Sequence, residues 1–573
     1  MKLILTYIGK YKGLFIVNIF AIVMLAAAEL GIPFIISNIV DKAMPSGNLS
    51  LLYQLIIIMA SVAVVGSIGN VVLNYCASRT SAYILKDMRN DVFGKIQALS
   101  VSDIQTFGTS SLLTRTMTDV FQILNFVTTF YRSAVLAPMM FIFSIILIII
   151  RAPQLSISIL TVAPIIILVL VLVIRLTKTL SERQQQELDQ LNLITRENLT
   201  GVRVIRAFRK SAYEQKRFAG INNKYTNTSV KMFRIMVSIE PIFFFFFNLS
   251  ILVLMYFGTK MIDDSTISLG QLIEFLDYQF HVMFSILTFS LLFMMYPKTM
   301  VSSARIKAIL DKTSSIKNKE NAQEINEKID TLEFRHVTFK YPDADEAVLT
   351  DISFTAKKGE KIAFVGSTGS GKSTMIQLIP RLYDLSAGEI LINGQNIDTF
   401  DLTSLRNKIG YILQKALLFE GTIRSNLLFG NPKANQEEML VALDIAQGRS
   451  IIEAKPEGLD AHVSELGTNL SGGQRQRISI ARALIKKPDI YIFDDSFSAL
   501  DYRTDVELRK ALFAKTGDDI VLIVAQRLAS VMTADKIIVM HHGSIIDIGT
   551  HHELLDRCQI YQEIARSQNL VEV

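Results

Sequence analysis

Lys361–Leu382 reads KIAFVGSTGSGKSTMIQLIPRL, and its three parts decide the fold of the C-terminal half. Lys361–Val365 is a short apolar run of the kind that forms a buried strand. The glycine-rich loop Gly366–Ser373, GSTGSGKS, follows, and Thr374–Leu382 reads as a helix. A strand, such a loop and a helix in this order is the P-loop pattern in the context it requires. The glycines let backbone N–H groups curl around phosphate oxygens, and a helix N-terminus adds positive potential. Gly366, Ser367, Thr368, Gly369, Ser370 and Gly371 form the cradle, with Thr374 at the start of the helix. Lys372 brings charge to the β- and γ-phosphates, and the Ser373 hydroxyl serves Mg²⁺. The expected ligands are ATP and Mg²⁺, held by an α/β nucleotide-binding domain.

A second apolar strand, Ile490–Phe493, ends in Asp494–Asp495. An acidic residue at the end of a strand beside a P-loop holds Mg²⁺ through water, and Asp494 fits that role. Asp495 stands where a base would orient or activate the attacking water.

Upstream the chain changes character. Half of its 573 residues are hydrophobic, and the apolar ones concentrate in roughly the first 300 positions. A span needs about 20 mainly apolar residues. Six stretches qualify, near Gly13–Val40, Leu51–Tyr75, Phe126–Ile150, Leu155–Leu176, Pro241–Met261 and Gln271–Tyr296. The net charge of +6 comes from basic residues clustered between these runs, so topology accounts for it and nucleic-acid binding is not expected. Lys2, Lys10 and Lys12 precede the first run, and Arg79, Lys86, Arg89, Arg196, Arg203 and Arg206 sit in two long connections. The short loops Asp41–Ser50, Arg151–Gln154 and Ile262–Leu269 carry few basic residues. The positive-inside rule then puts both termini, the long connections and the C-terminal domain in the cytoplasm. No cleavable signal peptide is expected, since the first run is too long and lacks a small-residue cleavage site. Arg79–Leu99 and Leu180–Thr200 mix charged and apolar residues at helical spacing without proline, and read as helices continuing roughly 30 Å beyond the spans. Ser102–Thr109 and Ser211–Phe218, with Tyr213, Glu214 and Arg217, are the turns expected to touch the soluble domain.

The domains are then 1–310, six transmembrane helices extended into the cytoplasm; 311–330, a polar linker (DKTSSIKNKENAQEINEKID); and 331–573, the nucleotide-binding domain. Cys76 and Cys558 match no metal spacing and read as small filler residues. Glu29 interrupts the first span, either facing a wet cavity or pairing structurally. Glu274, Asp277 and His281 share one face of the last span at spacings of three and four. Glu274 and Asp277 begin close to its outer end, where solvation is the simpler expectation. Phe243–Phe247, Met283, Met294 and Met295 offer an adaptable apolar surface, although five consecutive phenylalanines must turn some faces to lipid. Tyr11, Tyr53, Tyr75 and Tyr256 are the expected interface anchors in a chain without tryptophan.

Leu470–Gln474 reads LSGGQ and opens an arginine-bearing helix about twenty residues before the acidic strand. With the six spans, the whole chain resembles the half-transporters of the ATP-binding cassette (ABC) exporter family. The resemblance implies that Tyr341, in FKYP, stacks on adenine. It implies that Gln414, in YILQ, senses Mg²⁺ and couples to the membrane helices. Ser498–Asp501 would be a dimer-contact loop, and Glu465 would lie in a segment touching the internal loops. Two cassettes of this family close head to tail, so that Leu470, Ser471, Gly472, Gly473 and Gln474 would meet the nucleotide held on the other subunit's P-loop.

Two positions depart from the family pattern. Asp495 stands where the family has glutamate, one methylene longer, and Gln526, in AQRL, stands where it has histidine. Glutamine cannot take a proton near neutral pH. A carboxylate displaced by about 1 Å can cost on the order of a hundredfold in rate. Both changes touch hydrolysis and spare binding. The combination resembles the degenerate-site subunit of a heterodimeric multidrug exporter, paired with a chain that carries the competent residues. A slowly hydrolysing homodimer, a lipid or peptide exporter and a nucleotide-gated regulatory membrane protein are the alternatives. The expected setting is a bacterial cell membrane, with a lipophilic small molecule as cargo.

Overall fold

The computed structural model describes residues 1–151, 153–568 and 570. Ala152, in the expected Arg151–Gln154 loop, and Asn569 and residues 571–573 of the expected C-terminal domain lie outside the described residues. The chain divides into two compact units: Met1–Gln97 with Ser110–Lys312, and Ala98–Thr109 with Thr313–Val573.

Among the described residues, six helices are long and apolar enough to cross a membrane: Lys12–Ser46, Leu49–Ala98, Thr109–Arg151, Thr161–Thr200, Ser211–Asp263 and Leu269–Asp311. Five of them contain the stretches read from the sequence; the fourth overlaps Leu155–Leu176 from Thr161 onward, Leu155 itself closing a short 3-10 turn. The extensions form as expected, because uninterrupted good helix formers carry the pattern past each apolar run. Leu49–Ala98 is one helix of 50 residues, about 75 Å long. Small residues let it lie close to Lys12–Asn38. A Cβ on Gly66 would stand 2.4 Å from Ala28 Cβ, and one on Gly69 would stand 2.9 Å from the Ala21 carbonyl oxygen.

The first and last of these helices are clamped at one end. The Asp41 carboxylate accepts from the Gly270 backbone N–H at 2.7 Å and from the Ser268 hydroxyl. It thereby caps the start of Leu269–Asp311. Along that helix the three ionisable residues part company. Glu274 is fully buried and pairs with Arg151 at 3.7 Å. This corrects the expectation of a solvated interfacial carboxylate: desolvation is met by a guanidinium, itself over the Phe34 ring at 4.7 Å. Asp277 is exposed, as expected. His281 faces Glu29, Nδ1 to Oε2, at 3.9 Å. Among the phenylalanines, Phe243 and Phe247 stack in the core at 6.2 Å, while Phe244 and Phe245 are exposed. Met283 is core, which removes it from the expected adaptable surface, while Met294 stays exposed. Cys76 and Cys558 are free and buried, in keeping with filler roles.

In the second unit a six-stranded sheet runs in the order Ser544–Gly549, Lys536–His541, Lys361–Gly366, Ile520–Val524, Ile490–Asp494, Ile409–Ile412. All neighbours are parallel except the Ser544–Gly549 edge. Side chains alternate across it with period two. Ile362, Phe364, Ile490 and Ile492 feed one core, and Ala363, Val365, Tyr491 and Phe493 feed the other. An antiparallel sheet, Leu349–Lys357, Thr331–Phe339, Ala387–Ile392, Gln395–Asn396, completes the first of these cores. The parallel strands end together, which brings the loops after Gly366, Ile412, Asp494 and Val524 to one edge.

Residues 313–330 lack regular structure yet are bound to this unit. Ile316, Ile325 and Ile329 are buried, and Lys319 pairs with Asp398 at 2.7 Å. The short helix Val101–Phe107 belongs to the same unit. Its Asp103 carboxylate accepts from Ser100 at the helix cap and from the Ser315 N–H at 2.9 Å. The second expected contact turn lies in the first unit, where Arg217 pairs with Glu197 at 2.8 Å and Asn198 donates to Glu214 at 2.9 Å. Tyr213 and Phe218 there are exposed.

Candidate nucleotide site

The loop Gly366–Gly371 leaves the central strand through backbone conformations that side chains disfavour. Gly366 has φ +149°, and a Cβ there would stand 2.1 Å from the Met540 carbonyl oxygen. Gly371 has φ +93°, and its Cβ would stand 2.6 Å from Leu349 Cδ2. Only glycine meets both demands. The Lys372 ammonium donates to the Gly366 and Ser367 carbonyls at 2.9 and 2.7 Å and to Ser370 Oγ at 3.2 Å. Burial pulls the pKa of this lysine down, and the charges of Asp495 and Asp494 act against that pull.

Asp494 ends its strand opposite Ser373, whose hydroxyl donates to Asp494 Oδ1 at 2.7 Å. Two hard oxygens side by side at the mouth of a phosphate-binding loop are the donor set a Mg²⁺ ion takes, with waters and phosphate oxygens completing its shell. The residues therefore fit the expected ion. Burial raises the Asp494 pKa, opposed by hydrogen bonds from Ser373 and Tyr411. Tyr411 donates to Asp494 Oδ2 at 3.3 Å and was not among the residues expected from sequence. The signal was available: it stands three residues before Gln414, in the strand that pairs with Ile490–Asp494.

Asp495 turns away through a left-handed backbone, φ +47°, unusual outside glycine. Its N–H donates to the Val524 carbonyl at 3.0 Å, tying it to the neighbouring strand. Its carboxylate accepts from Gln414 Nε2 at 3.2 Å. Burial raises its pKa, and hydrogen bonds from Gln414, Ser498 and the Gln526 backbone oppose the rise. Gln526 follows the Ile520–Val524 strand and is exposed, its carbonyl accepting from Gln568 Nε2 at 2.8 Å. Lys372, Ser373, Gln414, Asp494, Asp495 and the Gln526 backbone thus gather at one sheet edge.

Tyr341 joins from the antiparallel sheet. Its hydroxyl is 3.1 Å from Thr374 Oγ1, and its ring packs edge-on against Tyr383 at 5.2 Å. Tyr383 in turn donates to Gln105, in the helix Val101–Phe107, at 3.3 Å.

The signature stands apart. Ser471 caps the helix Gly472–Lys486 reciprocally with Gln474: the Ser471 N–H donates to Gln474 Oε1 at 2.9 Å, and the Gln474 N–H to Ser471 Oγ at 3.2 Å. Leu470 is buried beneath, its carbonyl accepting from Arg475 at 2.7 Å, whereas Ser471 and Gly472 are exposed and Gly473 half-buried. Among the described residues no hydrogen bond links this helix start to the P-loop. Glu465, just before it, is exposed. One chain therefore carries, at separate places, a glycine-rich loop with its acids and an exposed helix N-terminus.

Two family models match the chain: the ABC transporter transmembrane region over residues 15–287 and the ABC transporter domain over residues 349–498. An uncharacterized ABC transporter ATP-binding protein of Mycobacterium tuberculosis, MT1311, is 34% identical over 577 residues, covering 100% of this chain and 98% of that protein. YgaD of Bacillus subtilis, named as a candidate multidrug export ATP-binding/permease protein, is 30% identical, covering 100% and 99%. An ATP-dependent lipid A-core flippase of Syntrophus aciditrophicus is 32% identical, covering 85% and 80%. Among solved structures, a bacterial Atm1-family ABC exporter with ATP bound superposes with TM-score 0.84 at 22% identity, covering 98% of this chain and 99% of that one.

Proposed function

We propose a function from what this chain is: it belongs to the ABC transporter family, as an exporter half-transporter whose ATP hydrolysis is coupled to transport. It is a multi-pass membrane protein that binds ATP through its cassette. On our reading it is one of two unlike subunits of an efflux pump for amphipathic and lipophilic compounds. It sits in a bacterial cell membrane with the cassette and both termini cytoplasmic. The name of YgaD supports the cargo class; the flippase's name supports lipid as the second choice.

One observation carries the asymmetry. Asp495 and Gln526 occupy the hydrolytic positions, while the Ser471–Gln474 helix cap is intact. Ser373 and Asp494 would hold Mg²⁺ in this chain's own site, where the ion would neutralise phosphate charge. Lys372 and the loop amides bind phosphate there, and Tyr341 offers its ring to the base. Asp495 holds the water side with a carboxylate one methylene short and already engaged by Gln414. That site is built to hold ATP for long periods. The exposed Ser471 hydroxyl and the amides of Gly472 and Gly473 complete the competent site on the partner.

The test is mass analysis of the complex extracted in detergent from its native membrane on a tag fused to this chain. A second cassette subunit in one-to-one ratio is expected. A dimer of this chain alone would overturn the heterodimer, and either slow turnover by Asp495 or a nucleotide-gated switch would replace it.

A further inference from the structure

Inside the membrane unit a cavity of about 200 Å³ is lined by Glu29, Met140, Phe280, His281, Phe284 and Thr288, among others. Its depth follows from the Asp41–Ser268 clamp. Glu29 lies twelve residues before Asp41, and His281 thirteen after Ser268. At 1.5 Å per residue both stand about 18–20 Å from the clamp, well inside a hydrocarbon core about 30 Å thick. The Tyr278 hydroxyl donates to the Leu30 carbonyl at 3.1 Å, which fixes the two helices at this level.

A carboxylate at this depth needs a partner. Glu274, a buried acid of the facing helix, has Arg151. Among the described residues Glu29 has His281 alone as a charged neighbour, at 3.9 Å, beyond hydrogen-bond reach. Among the described residues its carboxylate accepts no hydrogen bond. Beside it runs an aromatic wall: Phe280 stacks on Phe284 at 5.6 Å, with planes 14° apart, and meets Phe247 edge-on at 5.9 Å. A carboxylate that shares a cavity with π-rich rings selects an organic cation, because both attract positive charge and neither compensates an anion. The volume is below the roughly 300–1,000 Å³ of pockets that enclose a whole drug-sized ligand. It suits a headgroup.

We propose that this cavity binds the charged headgroup of an amphipathic organic cation, with Glu29 as counter-ion and Phe280 and Phe284 as the stacking face. The proposal rests on the export reading only in taking that ligand as cargo.

The experiment is equilibrium binding to the full-length pump, copurified with any partner and reconstituted in lipid nanodiscs. The probes are tetraphenylphosphonium, whose charge does not titrate, and triphenylphosphine oxide, a neutral comparator. Glu29→Gln is expected to weaken tetraphenylphosphonium about tenfold or more and to leave the neutral probe within about twofold. Glu29→Asp, which keeps the charge, should retain binding, and Asp277→Asn, at an exposed carboxylate on the helix that carries Phe280 and Phe284, should change nothing. Unchanged tetraphenylphosphonium affinity in Glu29→Gln, an equal loss of both probes, or a wild-type pump that prefers the neutral probe would overturn the site. Export is read separately, as ATP-dependent probe uptake into inverted vesicles. Wild-type vesicles that bind tetraphenylphosphonium through Glu29 yet accumulate no lipophilic probe would sink the export reading and leave the site standing.

Discussion

Gln414 donates its side-chain amide to the Asp495 carboxylate at 3.2 Å, joining the loop after Ile409–Ile412 to the end of Ile490–Asp494. The glutamine read as a magnesium sensor and the aspartate read as the water-side acid are therefore one hydrogen-bonded unit. On the proposed reading of an asymmetric pump, this contact, with burial and the shorter side chain, keeps Asp495 from reaching a water.

The first prediction concerns the assembled pump's ATPase. Ser471→Ala should nearly abolish turnover, since on the proposed reading it removes the hydroxyl that completes the partner's competent site. Asp495→Asn should change turnover modestly. Asp495→Glu, assayed with the partner's own hydrolysis disabled, should raise this chain's rate by about tenfold or more. A larger loss from Asp495→Asn than from Ser471→Ala would reverse the assignment of the two sites.

The second concerns pH and stability without nucleotide. Burial raises the Asp495 pKa above the ordinary carboxylate value. The folded state then binds more protons than the unfolded one between those two values, so stability falls as pH rises through that window. Above it the cost of the buried charge is fully present. Asp495→Asn should therefore raise the melting temperature of the nucleotide-free protein at pH 7.5 and give a smaller gain at pH 4.5. An equal gain at both would show that the charge is not the cause.

A third follows the path from Tyr341 through Tyr383 to Gln105. Tyr383→Phe keeps the rings packed and removes only the hydroxyl that reaches Gln105. One neutral hydrogen bond is worth about 1 kcal/mol, or about fivefold in a coupled equilibrium. ATP affinity should be unchanged, while stimulation of ATPase by transported compounds drops by about that factor. Nucleotide titration and stimulated ATPase, measured side by side, separate the two; a fall in affinity instead would assign Tyr383 to the nucleotide pocket.

Proteolysis reads a fourth. The buried Asp103 carboxylate holds the Ser315 N–H at the start of the connecting segment. Asp103→Ala leaves that donor unpaired, at a cost of about 1–3 kcal/mol. Trypsin should then cut faster at Lys312, Lys317 and Lys319, with the rest of the digestion pattern unchanged.

Packing in the membrane unit supplies the last. A Cβ on Gly270 would stand 2.4 Å from the Ser37 carbonyl oxygen and 2.6 Å from Asp41 Cγ. Gly270→Ala should open the Asp41 clamp and cost about 1–3 kcal/mol, visible as a lower melting temperature in detergent.

Much of this protein is written locally in its sequence. The P-loop is legible because the cradle, Lys372 and Ser373 are contiguous, and a phosphate needs them contiguous. The six spans are legible because a bilayer demands long uninterrupted apolar helices and no alternative backbone satisfies it. LSGGQ is legible because a helix cap and its glycines must be neighbours in the chain. What tertiary structure alone decided are the pairings between distant segments. Glu274 read as an interfacial acid because nothing in its neighbourhood announces Arg151, more than a hundred residues away. Asp277, three residues on, looks equivalent in sequence and is exposed, because an offset of about 60° around the helix is enough to take it off the packed face that buries Glu274. Tyr411 became a partner of Asp494 only once parallel strands set their ends side by side. Glu29 acquired His281 and its aromatic wall through the register that Asp41 imposes on two helices far apart in the chain. Chain-local chemistry is fixed by spacing; chemistry shared across elements depends on which faces packing brings together, and only the folded chain holds that information.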